Sequence, residues 1–195
     1  MDKQEQAFPP QAKGSKLTTV IAVKHDKGVT FAADSQVTDV NRPFVHSEMT
    51  KMVDGGRYVM GMAGELTAMQ AIEHRWTIPM PSARSTLSLF KFAITKIIPS
   101  LREFIDEAKL FSDKQKESDA TLFSILLAID GTLLEIDDDY GVAMRDDGFH
   151  AIGSGSDYAI GALCAGADIG RALEIAALND INTSGPFTII EQLRK

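Results

Sequence analysis

From residue 18 onward the apolar positions fall into two kinds of segment. Residues 18–23 (TTVIAV) and 29–33 (VTFAA) are β-branched runs on either side of Asp26-Lys27-Gly28, which predicts a hairpin. Residues 45–53 and 57–63 repeat this around Asp54-Gly55-Gly56, and 121–129 and 132–136 around Asp130-Gly131. Residues 66–76 instead carry Leu66, Met69, Ile72 and Trp76 at helical spacing, closed by Pro79 and Pro81. A long helix is expected over 85–110, with Leu87, Phe90, Ile94, Ile97, Leu101, Phe104 and Ala108 on one stripe and a kink at Pro99. Further on, 148–153 has the pattern of a strand, 157–167 and 169–178 of Ala-rich helices, and 187–193 of a last strand. Ser156 is placed to cap the first of those helices. Segregated blocks of strands and of helices predict an α+β fold in layers, because each sheet face needs an apolar cover.

The first 17 residues, MDKQEQAFPPQAKGSKL, break the pattern. They are polar, contain Pro9-Pro10 and Gly14-Ser15, and show no apolar period, so 1–17 is expected to be a flexible tail or a propeptide and 18–195 one domain. They hold no apolar h-region of a secretory signal, and no later apolar run has the length of a membrane span. The net charge of −7 makes nucleic acid an unsuitable partner, since an acidic surface repels phosphate. The single cysteine, Cys164, excludes an internal disulfide and fits a reducing cytoplasm. Four scattered histidines without a CxxC argue against zinc.

Candidate chemistry begins where the tail meets the first apolar run. A cut before Thr18 would leave a hydroxyl and a free α-amine on one rigid strand end. An amine with a pKa near ~8 can take the hydroxyl proton at neutral pH. The alternative is that Thr18-Thr19 merely starts a strand. Asp34, in AADSQVT, is either a turn former or a charge that the hairpin returns toward Thr18. Lys51, in HSEMTKM, either faces outward on an edge strand or lies beside Asp34, where it would lower the hydroxyl pKa. Gly153-Ser154-Gly155-Ser156 joins a strand to a helix. Tyr158 replaces the third glycine of G-x-G-x-x-G, so the segment is no dinucleotide fingerprint. It is a tight connection, or it sets the Ser154 hydroxyl beside a terminal amine. Residues 180–183 (DINT) close the last helix as a cap region. Asp137-Asp138-Asp139 lacks the glycine and distal glutamate of an EF-hand loop and has the character of a solvated hairpin tip.

Taken in order, TTVIAVKHDKGVTFAADSQVT, TKM, YVMGMAGELTAMQ and FHAIGSGSDYAIGAL resemble the proteasome β-subunit family, which includes the bacterial HslV-like peptidases. The resemblance runs from Thr18 to near the C-terminus and is vaguest over 80–118. It implies an N-terminal-nucleophile hydrolase with a four-layer αββα sandwich, a propeptide cut to expose a threonine, and peptide hydrolysis inside stacked rings. By resemblance Thr18 is the nucleophile, and Asp34, sixteen positions on, pairs with Lys51. Gly64, in MAGE, would supply the oxyanion N–H. Ser154 matches the serine of the family's GSG turn. Asp180 and Thr183 match its D-x-x-S element, with Thr for Ser, and would orient the amine. Val37, Thr38 and Met62 would line the first specificity pocket and favour cleavage after apolar residues. The carbonyls of Ala177, Asp180 and Thr183 fall where some members hold a monovalent or magnesium ion. A structural Na+ or Mg2+ would then accompany chemistry that itself needs no cofactor.

Two positions depart from the family pattern. Leu17 precedes Thr18 where processed precursors usually carry Gly, and Lys51 lies one residue late, which implies an insertion within 39–48. Taking Thr19 as nucleophile would correct the lysine spacing but spoil that of Asp34. The partners the resemblance implies are further copies of the chain in a hexameric or heptameric stacked ring, polypeptide substrates, and an AAA+ ATPase unfoldase, which the chain does not identify, since it has no GxxxxGK[ST] of its own. The alternative within the family is a non-catalytic scaffold subunit with its tail attached, which would need none of Thr18, Asp34 and Lys51.

Overall fold

Two antiparallel sheets, each apolar on both faces, organise the chain. The structure is a computed structural model that describes residues 18–39, 42–45, 50–82, 85, 87–111, 122–145 and 147–194. The proposed tail, 1–17, lies outside the described residues. In chain order come β1 (Thr19–His25), β2 (Gly28–Asp34), β3 (Gln36–Asp39), β4 (Arg42–Val45), β5 (Met52–Asp54) and β6 (Tyr58–Gly64). Helix α1 (Leu66–Arg75), α2 (Leu89–Phe92), a π turn (Ala93–Ile97) and α3 (Ile98–Glu107) follow. Then come β7 (Phe123–Ile129), β8 (Thr132–Asp137), β9 (Val142–Ala143), β10 (Phe149–Gly153), α4 (Ser156–Cys164), α5 (Ile169–Asn179) and β11 (Phe187–Leu193). One sheet has the order β10-β1-β2-β11, the other β5-β6-β7-β8-β9, and β3 and β4 form a separate hairpin.

The two-residue period of a strand decides which side chains meet which layer. In β7, Phe123, Ile125, Leu127 and Ile129 join a cluster with Ile72 of α1 and Leu101 and Ile105 of α3. The alternate residues Leu126 and Ala128 face the other sheet, where they meet Val20, Ala22, Phe31 and Ala33. The opposite faces of β1 and β2 present Ile21 and Ala32 to Ala159, Ala162, Ala172, Leu173 and Ala176 of α4 and α5. Alanine on both helices lets them approach the sheet closely. Gly61 does the same between the sheets, since a Cβ there would lie 2.5 Å from Val20 Cγ1.

Five expectations need correction. The strand expected over 45–53 is not one element: β4 ends at Val45 and β5 begins at Met52, with 46–49 outside the described residues. The β3–β4 hairpin was not anticipated, because RPFV after QVTD carries no period-2 signal. The long helix starts at Leu89, where the Ser88 side chain accepts from Lys91 N–H, and not at 85. The disruption expected at Pro99 takes the form of the π turn just ahead of it, in which Ile98 N–H bonds Ala93 O, five residues back. Finally, the cap of α4 is Gly155 and not Ser156, for a reason that belongs to the site below.

Phe31 is fully buried at the centre of the contact between the sheets. Phe31→Ala should therefore cost about 3–5 kcal/mol of unfolding free energy, read from urea denaturation; a loss below 1 kcal/mol would show that the two sheets do not share this contact.

Candidate active site

Pairing of β1 with β2 sets Val20 opposite Ala33, so Thr19 and Asp34 meet at the end of the hairpin. There the Asp34 side chain is 0% exposed and its carboxylate accepts from four donors. Oδ1 takes Thr19 N–H and Lys51 Nζ, both at 2.8 Å. Oδ2 takes Gln36 N–H at 3.0 Å and Ser184 N–H at 3.4 Å. Lys51 therefore faces inward, with its side chain 3% exposed. It is held from behind, because its carbonyl accepts Met62 N–H of β6 at 2.8 Å. Burial pushes the Lys51 ammonium below the ordinary lysine range, against the pull of Asp34. Burial likewise pushes the Asp34 carboxyl up, opposed by Lys51 and by the N–H groups of Thr19 and Gln36.

A second cluster forms on the other side of Thr19. Ser154 Oγ donates to Asp180 Oδ2 at 2.6 Å, and Thr183 Oγ1 donates to the same oxygen at 2.6 Å. Having given its one proton to Asp180, Thr183 accepts from Thr19 Oγ1, 2.6 Å away. The hydroxyl of Thr19 is thus a donor within a chain that ends on a carboxylate. Ser154 Oγ also lies 3.4 Å from the Thr18 carbonyl, a much looser contact than its bond to Asp180.

The GSG turn has glycines because the start of β1 packs directly on it. Gly153 has φ +98°, and a Cβ there would sit 1.9 Å from Thr18 O. A Cβ on Gly155 would sit 2.2 Å from Thr19 Oγ1 and 3.0 Å from Thr183 Oγ1. That close approach places Gly155, and no side-chain oxygen, at the cap of α4.

The structure thus brings Asp34, Lys51, Ser154, Asp180 and Thr183 around the Thr18-Thr19 step, with Thr18 itself 2% exposed. Gly64 ends β6, two residues beyond the Met62 N–H that holds Lys51, and has φ +144°. A Cβ there would meet Leu122 O at 2.4 Å, so this position requires glycine. Val37 is 9% exposed and Met62 1%. Met62 packs in the cluster beneath α1 and α3, because the alternation of β6 turns it away from the other sheet. Met62 is therefore corrected from pocket wall to core residue. The side chain of Thr38 lies outside the described residues. The Asp180 carbonyl already accepts Thr183 N–H at 3.1 Å, and among the described residues no three His, Cys, Asp or Glu side chains gather as a metal site. Asp180 instead turns its carboxylate to hydroxyl groups. Sequence reasoning missed Thr19, Gln36 and Ser184 as members of the site. The last two are bound to Asp34 by backbone N–H groups, which no residue type announces.

No protein-family model matches the chain. Solved structures do. Thiobacillus denitrificans BPH in complex with epoxomicin has a TM-score of 0.69 at 20% identity, over 90% of this chain and 99% of that one. HslV from Trypanosoma brucei has a TM-score of 0.61 at 22% identity, over 89% and 98%. The helical assembly of the Anbu complex from Pseudomonas aeruginosa has 0.63 at 18%, over 90% and 81%. The chain shares their fold. At these identities the likeness speaks for the α+β architecture alone, and the chemistry has to be argued from the site.

Removing one member of a buried ion pair strands the other. Lys51→Met should cost about 3 kcal/mol at pH 7 by chemical denaturation. Burial raises the folded pKa of Asp34, so the folded variant binds this proton more readily than the unfolded chain does. Lowering the pH from 7 toward 4 should therefore shrink the deficit. A deficit that grows on acidification would show that Asp34 is not the group left unpaired.

Proposed function

We propose that the chain is a threonine-type endopeptidase of the N-terminal-nucleophile class, built as a four-layer αββα sandwich and working in a proteasome-like ring of six or seven copies. The observation that carries this is the ion pair between Asp34 and Lys51 beside the Thr18-Thr19 step, with side chains 0% and 3% exposed. A buried pair adds little to stability compared with apolar residues of the same volume, so its place here calls for chemistry. A non-catalytic scaffold would give the Lys51 ammonium no alkoxide to favour.

Cleavage between Leu17 and Thr18 would free the Thr18 amine. That amine takes the proton of Thr18 Oγ1 as the oxygen attacks the peptide carbonyl carbon. Lys51, its charge balanced by Asp34, favours the developing alkoxide electrostatically. The carbonyl oxygen gains negative charge and is met by Gly64 N–H. The amine then returns the proton to the leaving nitrogen as the C–N bond breaks. Water hydrolyses the ester on Thr18 and regenerates the hydroxyl. Asp180, Thr183 and Ser154 hold the Thr18-Thr19 backbone in place, with no step of their own.

Thr18 suits the nucleophile's role better than Thr19 does. Thr19 has its N–H on Asp34 and its hydroxyl on Thr183 from within the β1 ladder, whereas Thr18 precedes that ladder. Leu178, Ile181 and Ile189 are more than half exposed, which supports burial of these faces between copies in a ring. Polypeptide substrates would reach the sites from inside that ring, delivered by a separate AAA+ ATPase in the cytoplasm. A Na+ or Mg2+ on the carbonyls of Ala177, Asp180 and Thr183 would be structural, and the chemistry needs no other cofactor.

Thr18→Ala should lower hydrolysis of a fluorogenic peptide with an apolar P1 residue by roughly 10⁴-fold while leaving the assembly's mass unchanged. Intact mass of the wild-type protein should show loss of residues 1–17. Retention of the tail together with no labelling by a threonine-directed electrophile would overturn the proposal.

A further inference from the structure

The Asp34 and Asp180 clusters must keep one spacing if they are to hold Thr18-Thr19 between them. Among the described residues, Thr19 joins them through its N–H and its hydroxyl. Ser184 joins them through backbone alone: its N–H reaches Asp34 Oδ2, and its carbonyl accepts Ser35 N–H at 3.3 Å. Gln36 joins them differently. Its N–H holds Asp34 Oδ2 at 3.0 Å, and its Nε2 donates to Ile181 O at 2.9 Å. Ile181 lies inside the turn that runs from Asp180 to Thr183, 75% exposed as a residue but with its carbonyl accepting from buried Gln36. Gln36 itself is 4% exposed.

Burying a primary amide costs free energy unless its groups are bonded, and packing alone would be served as well by leucine. The bond to Ile181 O is therefore a specific link. It ties the turn that carries both Asp180 and Thr183 to the backbone two residues from Asp34. We propose that Gln36 is a positioning residue that sets the distance between the Asp180–Thr183 turn and the Asp34–Lys51 pair. The effect on rate rests on the peptidase proposal, whereas the effect on the turn does not. Gln36 touches no reacting atom. Its action runs through Ile181 O to the two hydroxyl-bonded residues, and misplacement of such a frame by about 1 Å can cost up to about 10²-fold in rate.

The test uses the full chain in its assembled form, with two variants. Gln36→Leu keeps the backbone N–H on Asp34 and the apolar volume but deletes the side-chain amide, Nε2 included. It should lower kcat about tenfold with KM within about twofold, which is the signature of misplaced groups and not of lost substrate contacts. Hydrogen exchange should quicken in peptides covering 180–184 while the β1–β2 hairpin keeps its protection. Gln36→Glu should behave like the leucine variant at pH 7. As the pH is lowered toward 5 its deficit relative to wild type should shrink, because a protonated carboxyl can donate to Ile181 O again. Unchanged exchange over 180–184 in both variants would overturn the proposal. So would a loss of kcat matched by loosening throughout the hairpin, which would make Gln36 a packing residue. Should the wild-type protein hydrolyse no peptide even with Thr18 exposed, the peptidase proposal fails, and the exchange measurement still decides the place of Gln36.

Discussion

The site depends on one buried carboxylate. Asp34 ends β2 with its side chain fully buried, and an ion in that position must be met by donors on every side. The donors come from the start of β1, from Lys51, from the first residue of β3 and from the loop after α5. Each is distant from the others along the chain or belongs to a different element. The carboxylate therefore does what an apolar residue of its size could not: it specifies where four backbone segments end. The cost is a pair of charges taken out of water, and burial moves both groups away from their ordinary titration ranges.

A second constraint follows from how tightly β1 is seated. Gly153 and Gly155 leave no room for a Cβ against Thr18 O and Thr19 Oγ1, so the turn before α4 is built around the two threonines. The same packing presses Thr19 Oγ1 onto Thr183 and fixes the direction of the hydroxyl chain toward Asp180. Rigid seating of this kind pre-organises a site: orientation is settled on folding and need not be acquired when substrate binds. The alanines of α4 and α5 serve the same end from behind, letting the helices lie close against β1 and β2.

The strands around the site were legible from the sequence, and the reason is physical. β1, β2, β7, β8, β10 and β11 are bounded by turn residues and filled with β-branched or aliphatic side chains, so propensity and tertiary demand agree. The closeness of Asp34 to Thr18-Thr19 was legible because a hairpin has a fixed geometry. Other features were not. Whether Lys51 faces in or out depends on a partner strand, and propensity is silent on that. The β3–β4 hairpin and the π turn answer to their neighbours and to the missing amide of Pro99. Met62 shows the limit of carrying a position over by resemblance: its place along the chain is right for a pocket, but strand parity sends its side chain into the core. Gln36 and Ser184 enter the site through main-chain donors, and every residue but proline has one.

The late position of Lys51 illustrates how such a constraint absorbs sequence change. An extra residue within a paired strand would turn every following side chain to the wrong face. By the resemblance the insertion would fall within 39–48, a span that holds β4 but ends ahead of β5, so β5 keeps its own register. The register from Lys51 onward is set by β6 instead, through Met62 N–H on the Lys51 carbonyl and Met52 opposite Gly61. The amine therefore reaches Asp34 at 2.8 Å however many residues precede it. A count along the sequence measures the length of the path to the lysine, while the ladder with β6 and the charge on Asp34 determine where that path ends. On the same reasoning the sixteen-residue spacing from Thr18 to Asp34 has much less freedom, because it is the length of a hairpin whose two arms are paired residue by residue from Val20 to His25.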